Sequence, residues 1–270
     1  MSLTFGSLFA GIGGFDLGFE RAGMACRWQV EIDNYASKVL AKHWPAVHRE
    51  RDIRQCRRHN LEPVDVICGG FPCQDISYAG LGAGLEGERS GLFFEAVRVV
   101  RELRPKAVVL ENVAALLTRG LDAVLGTLAA IGYDAEWHCI PAAAVGAPHI
   151  RDRLFVLAYA KHGGLEGGRR AACIGTTMRH SAGVRRFKPQ SHKGKTDEIH
   201  ADIAGREAIW NGKHSIRRVA HGIPNRVDRL RGLGNAVVPQ VAEFIGRQIV
   251  QHMTGGNDDA FTVKKNQAVG

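Results

Sequence analysis

The sequence predicts a doubly wound α/β fold on a mainly parallel sheet. Three observations carry this. Short apolar runs alternate with helical patterns across the first 160 residues. A glycine-rich turn follows the first apolar run. The chemically distinctive residues fall just after later runs, where an open parallel sheet presents its crevice.

The elements follow in order. LTFGSLF (3–9), CRWQVEI (26–32), VDVICGG (64–70), KAVVLENV (106–113), the stretch around Trp137 and RLFVLAYA (153–160) have the length and β-branched or aromatic content of strands. DLGFERAG, NYASKVLAKHW, SGLFFEAVRVVREL and LDAVLGTLAAIG place apolar residues three and four apart, as amphipathic helices do. Residues 161–222 break the pattern: they are rich in Gly, His, Arg and Lys and nearly aperiodic. A last amphipathic helix is predicted over PQVAEFIGRQIVQHM (239–253), with Pro239 suited to its first turn. The expected organisation is a body over 1–160, a small basic region over 161–222, a segment over 223–253 that completes the body, and a tail over 254–270.

Composition narrows the function classes. At 45% hydrophobic and 23% charged, the 270 residues read as a globular chain with a sizeable core. No apolar run approaches the ~20 residues of a membrane span, and the start lacks the basic character of a secretory signal, so a cytoplasmic location is expected. Six cysteines are scattered without a C-x-x-C pair, which argues against a disulfide framework or a zinc site. No metal is expected. The formal charge of +9 is concentrated: residues 161–231 hold 16 Lys and Arg against 6 Asp and Glu. Such a block suits a polyanion such as nucleic acid, or a solvated basic surface.

Two groups of residues carry candidate chemistry. Phe9-Ala10-Gly11-Ile12-Gly13-Gly14 follows the first strand and opens a helix, a turn that brings backbone close to a ligand. On its own it fits several nucleotide cofactors, or none. Glu31 ends the next strand about 20 residues on, where a carboxylate accepts from ribose hydroxyls. Asp52-Ile53 is a polar–apolar pair able to grip an adenine ring. The second group begins with Gly69-Gly70-Phe71-Pro72-Cys73-Gln74, a thiol placed just past a strand and followed by a stretch with five glycines over 75–91, the composition of a lid. Glu111-Asn112-Val113 ends the next strong strand, where burial would raise the carboxyl pKa. Arg151-Asp152-Arg153 precedes the last strand and offers an ion pair or planar donors.

In this order the segments resemble the DNA (cytosine-5)-methyltransferases. FAGIGG is similar to that family's cofactor loop, GGFPCQ to its nucleophile loop, ENV to its base-binding motif and RDR to its arginine motif. RLRGLGNAVVPQV (229–241) is similar to its closing segment. The match covers residues 4–160 and 222–250. It departs in two places: His149 stands where the family usually has glutamine, and the basic region lacks clear recognition-domain features apart from Gly175-Thr176-Thr177.

The resemblance implies a Rossmann-like class I methyltransferase fold with 161–222 as a small irregular target-recognition region. It implies methyl transfer from S-adenosylmethionine to carbon 5 of cytosine in duplex DNA, in a bacterial or phage-encoded enzyme, with restriction-modification, phage self-marking and an orphan regulatory role all left open and a monomer as the default expectation. Cys73, Glu111, Arg151 and Arg153 would be catalytic. Phe9, Gly11, Gly13, Glu31, Asp52, Ile53, Pro72, Leu92 and Asn235 would line the cofactor site. An RNA methyltransferase of the same chemistry, a catalytically silent DNA-binding protein and a nicotinamide-dependent oxidoreductase are the competing readings.

Overall fold

A computed structural model of the chain describes residues 2–72, 91–161 and 226–254. Seven strands form one sheet: β1 (Thr4–Leu8), β2 (Ala25–Val30), β3 (His48–Glu50), β4 (Val66–Gly70), β5 (Ala107–Val113), β6 (Tyr133–Pro141) and β7 (Asp152–Ala160). Their order is β3-β2-β1-β4-β5-β7-β6. The first five run parallel, while β7 is antiparallel to both β5 and β6. The mainly parallel, doubly wound sheet expected from the sequence is therefore present, with a reversed strand next to β5.

The expected helices also form: α1 (Gly14–Arg21), α2 (Asn34–His43), α3 (Gly91–Leu103), α5 (Leu121–Ala130) and α7 (Pro239–Thr254). Two more are present, the single turn α4 (Leu116–Arg119) and α6 (Arg226–Asn235). Strand β3 and helix α6 escape an apolar-pattern reading for one reason, that neither has an apolar pattern facing a core. His48-Arg49-Glu50 is polar throughout and becomes a strand by pairing with Trp28, Gln29 and Val30. No described side chain of α6 is buried.

Alternation along the central strands builds two cores. Ile67, Val108, Leu110, Leu154 and Val156 face one side, with Phe93, Val97 and Val100 of α3 and Val124 and Leu128 of α5. Phe5, Val66, Cys68, Val109, Phe155 and Leu157 face the other, with Phe15 and Phe19 of α1 and Val241, Ala242, Ile245 and Ile249 of α7. Helices α1 and α7 approach closely because their facing residues are small: a Cβ added at Gly18 would lie 2.4 Å from the Ala242 Cβ and 2.5 Å from the Pro239 carbonyl oxygen. The late helix α7 thus completes the sheet's second layer. Between β1 and β2, Gly6 leaves room for the indole of Trp28, which would sit 2.1 Å from any Cβ there.

Of the basic region 161–222 only Lys161 is described, and Thr254 is the one described residue of the expected tail; Gly175-Thr176-Thr177 lies outside the described residues. Among the described residues no helix is long and apolar enough to cross a membrane, and no cluster of His, Cys, Asp and Glu could hold a metal.

Candidate active site

One cavity of about 580 Å³ opens along the sheet edge where β1, β2, β4 and β5 end. Chain direction decides what reaches it. Parallel strands deliver the residues that follow them: Phe9 after β1, Glu31 after β2, Pro72 after β4. The reversed strand β7 delivers its beginning, so Arg153 arrives at the edge where Glu111 and Asn112 end β5.

The first half of the cavity is built by local backbone geometry. Phe9 takes a positive φ of 51° and Gly11 one of 57°, so the chain turns sharply off β1 before α1 begins. For Phe9 that left-handed conformation costs about 1–2 kcal/mol, which the surrounding fold must offset. The Gly11 N–H donates to Glu31 Oε2 and the Asp33 N–H to Glu31 Oε1, both at 2.7 Å. The Glu31 carboxylate is thereby fixed at both oxygens, with lone pairs left over for a ligand. Asp52 caps the 3-10 turn Ile53–Gln55 by accepting from the Arg54 N–H at 3.0 Å. Behind it Arg98 of α3 donates to the Ile53 carbonyl at 2.9 Å while paired with Glu95 and Glu102 at 2.7 and 2.8 Å. Phe9, Ile53 and Leu92 supply apolar wall.

The second half is charged and nearly dry. Glu111 Oε1 lies 3.0 Å from Arg153 Nε, with the carboxylate side chain only 10% exposed. Burial pushes the Glu111 carboxyl above its usual range, and the guanidinium groups of Arg153 and Arg151 oppose that shift. Gly70 is paired with Glu111 in the sheet, and a Cβ on it would come within 2.8 Å of Glu111 Oε2. Asn112 is buried beside them and donates to the Phe71 carbonyl at 3.0 Å, tying the end of β5 to the segment that leads to Pro72.

Of the thirteen residues singled out in the sequence, ten line this cavity: Phe9, Gly11, Glu31, Asp52, Ile53, Pro72, Leu92, Glu111, Arg153 and Asn235. Cys73 lies outside the described residues. Gly13 is set back as the N-cap of α1, at φ 89°. Arg151 is not among the residues that line this cavity. At φ 38° its side chain turns to the C-terminal end of α6, where Nη2 donates to the carbonyls of Gly234, in the last turn, and of Ala236, just past it, at 2.7 Å each. It holds backbone, as a planar donor fork is suited to do.

Sequence reasoning missed Ile32, Asp33, Arg51 and Arg231, which also line the cavity. Asp33 carried a usable signal as the N-cap of a predicted helix; Arg231, 198 residues away from it in the chain, carried none. The described thiols contribute nothing to the cavity wall. Cys68 is fully buried in the core between sheet and α1, and burial raises its pKa well above the usual thiol value.

Solved structures of similar shape include a DNMT2 mutant from Spodoptera frugiperda, with TM-score 0.52 and 21% identity over 63% of this chain and 53% of that one. The methyltransferase EhMeth of Entamoeba histolytica aligns with TM-score 0.51 and 20% identity, covering 62% and 55%. The fold is that of a Rossmann-like class I methyltransferase. The model of the C-5 cytosine-specific DNA methylases matches residues 3–217. This chain belongs to that family. Curated relatives include the type II methyltransferase M.HhaI of Haemophilus parahaemolyticus, 35% identical over 161 residues, and M.Eco47II of Escherichia coli, 39% identical over 163. These matches take in 58% and 56% of this chain, and it spans only 49% and 38% of those proteins.

Proposed function

We propose that this chain transfers a methyl group from S-adenosylmethionine to carbon 5 of cytosine in duplex DNA, through a covalent bond between Cys73 and the base. The observation that carries the reading is the continuity of the cavity. One end has the features of an adenosine site and the other holds a buried carboxylate–guanidinium pair suited to a pyrimidine edge.

The residues fit the cofactor. The fixed Glu31 carboxylate suits a ribose diol, Phe9 and Ile53 suit the faces of a flat adenine, and Pro72, Leu92 and Asn235 complete the wall. When bound, S-adenosylmethionine supplies an electrophilic methyl group on a sulfonium.

The protein's own residues divide the remaining work. The target cytosine leaves the duplex stack to reach the cavity, as chemistry on a paired base requires. The Cys73 thiolate adds to carbon 6, and the displaced electron pair makes carbon 5 nucleophilic toward the methyl group. Glu111, its pKa raised by burial, holds a proton at the ring nitrogen N3 and accepts from the exocyclic amine. Arg153 donates to the carbonyl oxygen O2. After transfer a base removes the carbon 5 proton, the electron pair re-forms the ring double bond, and Cys73 departs as thiolate. Gly13 shapes the cofactor turn, and Arg151 positions the backbone around Asn235. In this reading 1–160 and 223–253 form the catalytic unit, 161–222 selects the DNA site and 254–270 is a tail.

The test is covalent trapping on duplex DNA that carries 5-fluorocytosine, with S-adenosylmethionine present. Fluorine cannot leave carbon 5 as a proton does. A denaturation-resistant adduct formed by the wild type, dependent on cofactor and absent in Cys73→Ser, is expected. Cofactor binding without an adduct on DNA of varied sequence would overturn the mechanism, and an adduct on RNA alone would reassign the substrate.

A further inference from the structure

Helix α6 reaches the cavity from the far end of the chain. Asp228, Arg231, Gly232, Gly234 and Asn235 form part of the cavity wall. The helix is nevertheless poorly anchored by apolar packing: Val227, Leu230 and Leu233 are 78%, 53% and 65% exposed, and no described side chain of α6 is buried. Burial of apolar area, the usual force that seats a helix, is not what holds its described residues in place.

Two polar attachments hold it instead. At its C-terminal end the Arg151 guanidinium takes the carbonyls of Gly234 and Ala236. One turn earlier Arg231 Nη2 meets Asp33 Oδ2, bridging α6 to the start of α2, which also lines the cavity. Asp228, 3.7 Å from Arg231 Nη2, adds a second acid on the same helix. Asp33 is an unusual anchor because its other atoms are already committed to the site. Its Oδ1 accepts from the Ala36 N–H at 2.9 Å, capping α2, and its own N–H donates to the Glu31 carboxylate.

We propose that the Arg231–Asp33 ion pair is a latch that retains S-adenosylmethionine by holding α6 across the cavity, with the Arg151 attachment as its pivot. The proposal rests on the cavity being the cofactor site. Release then requires the latch to open, and Arg231 and Asp33 act as positioning residues that set cofactor residence time. Ligand affinity within one site is tuned chiefly through the rate of departure, which is the step such a contact governs.

The experiment is a chase of labelled S-adenosylmethionine from the full-length protein. Arg231→Gln and Asp33→Asn each remove the charge pair, and the Asn amide keeps an oxygen for the Ala36 N–H. Each is expected to speed dissociation by about 2–5-fold, the range that an exposed ion pair supports. The double variant should dissociate no faster than either single one, as members of one interacting pair do. Arg231→Lys should stay near wild type. Added salt should speed release from the wild type and leave the Gln and Asn variants unchanged. Single variants with unaltered release, or effects that add in the double variant, overturn the latch while leaving the cofactor site intact. A wild-type chain that binds no S-adenosylmethionine overturns the functional reading, and the latch with it.

Discussion

Glu111 on β5 and Arg153 on β7 meet at 3.0 Å because the two strands run in opposite directions. Glu111 is paired with Phe155 and Val113 with Arg153, so the two charged side chains sit two residues apart on one face of the sheet. The carboxylate is nearly dry and the guanidinium about a quarter exposed.

Under the proposed function, that relationship makes Glu111 a residue whose replacement should be felt directly in the rate. Glu111→Gln keeps the size and is expected to lower single-turnover methyl transfer by about 10²–10³-fold, the scale of one lost transition-state contact. Gly70→Ala should act on the same atom from the neighbouring strand, since its Cβ would crowd Glu111 Oε2 at 2.8 Å. A displacement of that kind is expected to cost about 10²-fold in rate, with cofactor affinity retained. Full activity in both variants, measured by methyl incorporation, would remove Glu111 from the mechanism.

A second carboxylate predicts how stability depends on pH. Asp16 is fully buried at the start of α1, where Oδ1 accepts from Gln29 Nε2 at 2.8 Å and Oδ2 from the Ser7 hydroxyl at 3.2 Å. Burial pushes its pKa up to about 6, against 3.8 in the unfolded chain. The folded state therefore holds this proton more tightly. Below about pH 4 Asp16 is protonated in both states and carries no penalty. The penalty grows as pH rises toward 6 and is complete above it, amounting to roughly 3 kcal/mol. Asp16→Asn keeps an acceptor for Gln29, and the Ser7 hydroxyl can turn to accept. The variant should unfold at higher urea than the wild type at pH 7 and at similar urea near pH 4. An advantage equal at both pH values would contradict this account.

Two glycines in helices should respond to alanine with opposite signs. Gly18→Ala on α1 would force its Cβ against Ala242 and the Pro239 carbonyl of α7. Such overpacking against backbone is expected to cost about 1–3 kcal/mol. Gly126 on α5 is exposed, and a Cβ there meets nothing within 4 Å. Gly126→Ala should stabilise by about 0.5–1 kcal/mol through lower unfolded-state entropy and better helix propensity. Thermal melts of the two variants check both signs together.

The sequence was most legible where physical demands were local. Strands such as VVLENV are apolar because both faces of a central strand are covered, and α3 declares itself by its apolar stripe. Glu31, Asp52 and Ile53 were found because turns and strand ends place them at one sheet edge. The Asp16 network was missed, since a lone acid in the first turn of a predicted helix reads as a dipole partner and not as a buried group. Strand β3 and helix α6 were missed because their position comes from pairing and ion contacts, which leave no periodic trace. Arg151 matched a motif, but its side-chain direction depends on a positive φ that no residue type declares.

The reversal of β7 has one more consequence. Side chains alternate between the faces of a strand, so moving β7 by a single position against β5 would carry Arg153 to the opposite side of the sheet. Such a slip would also place Leu154, Val156 and Ala158, now in one core, into the other. The apolar alternation of β7 therefore acts as a proofreader for the Glu111–Arg153 pair: any chain that seats its core correctly has already brought Arg153 to Glu111.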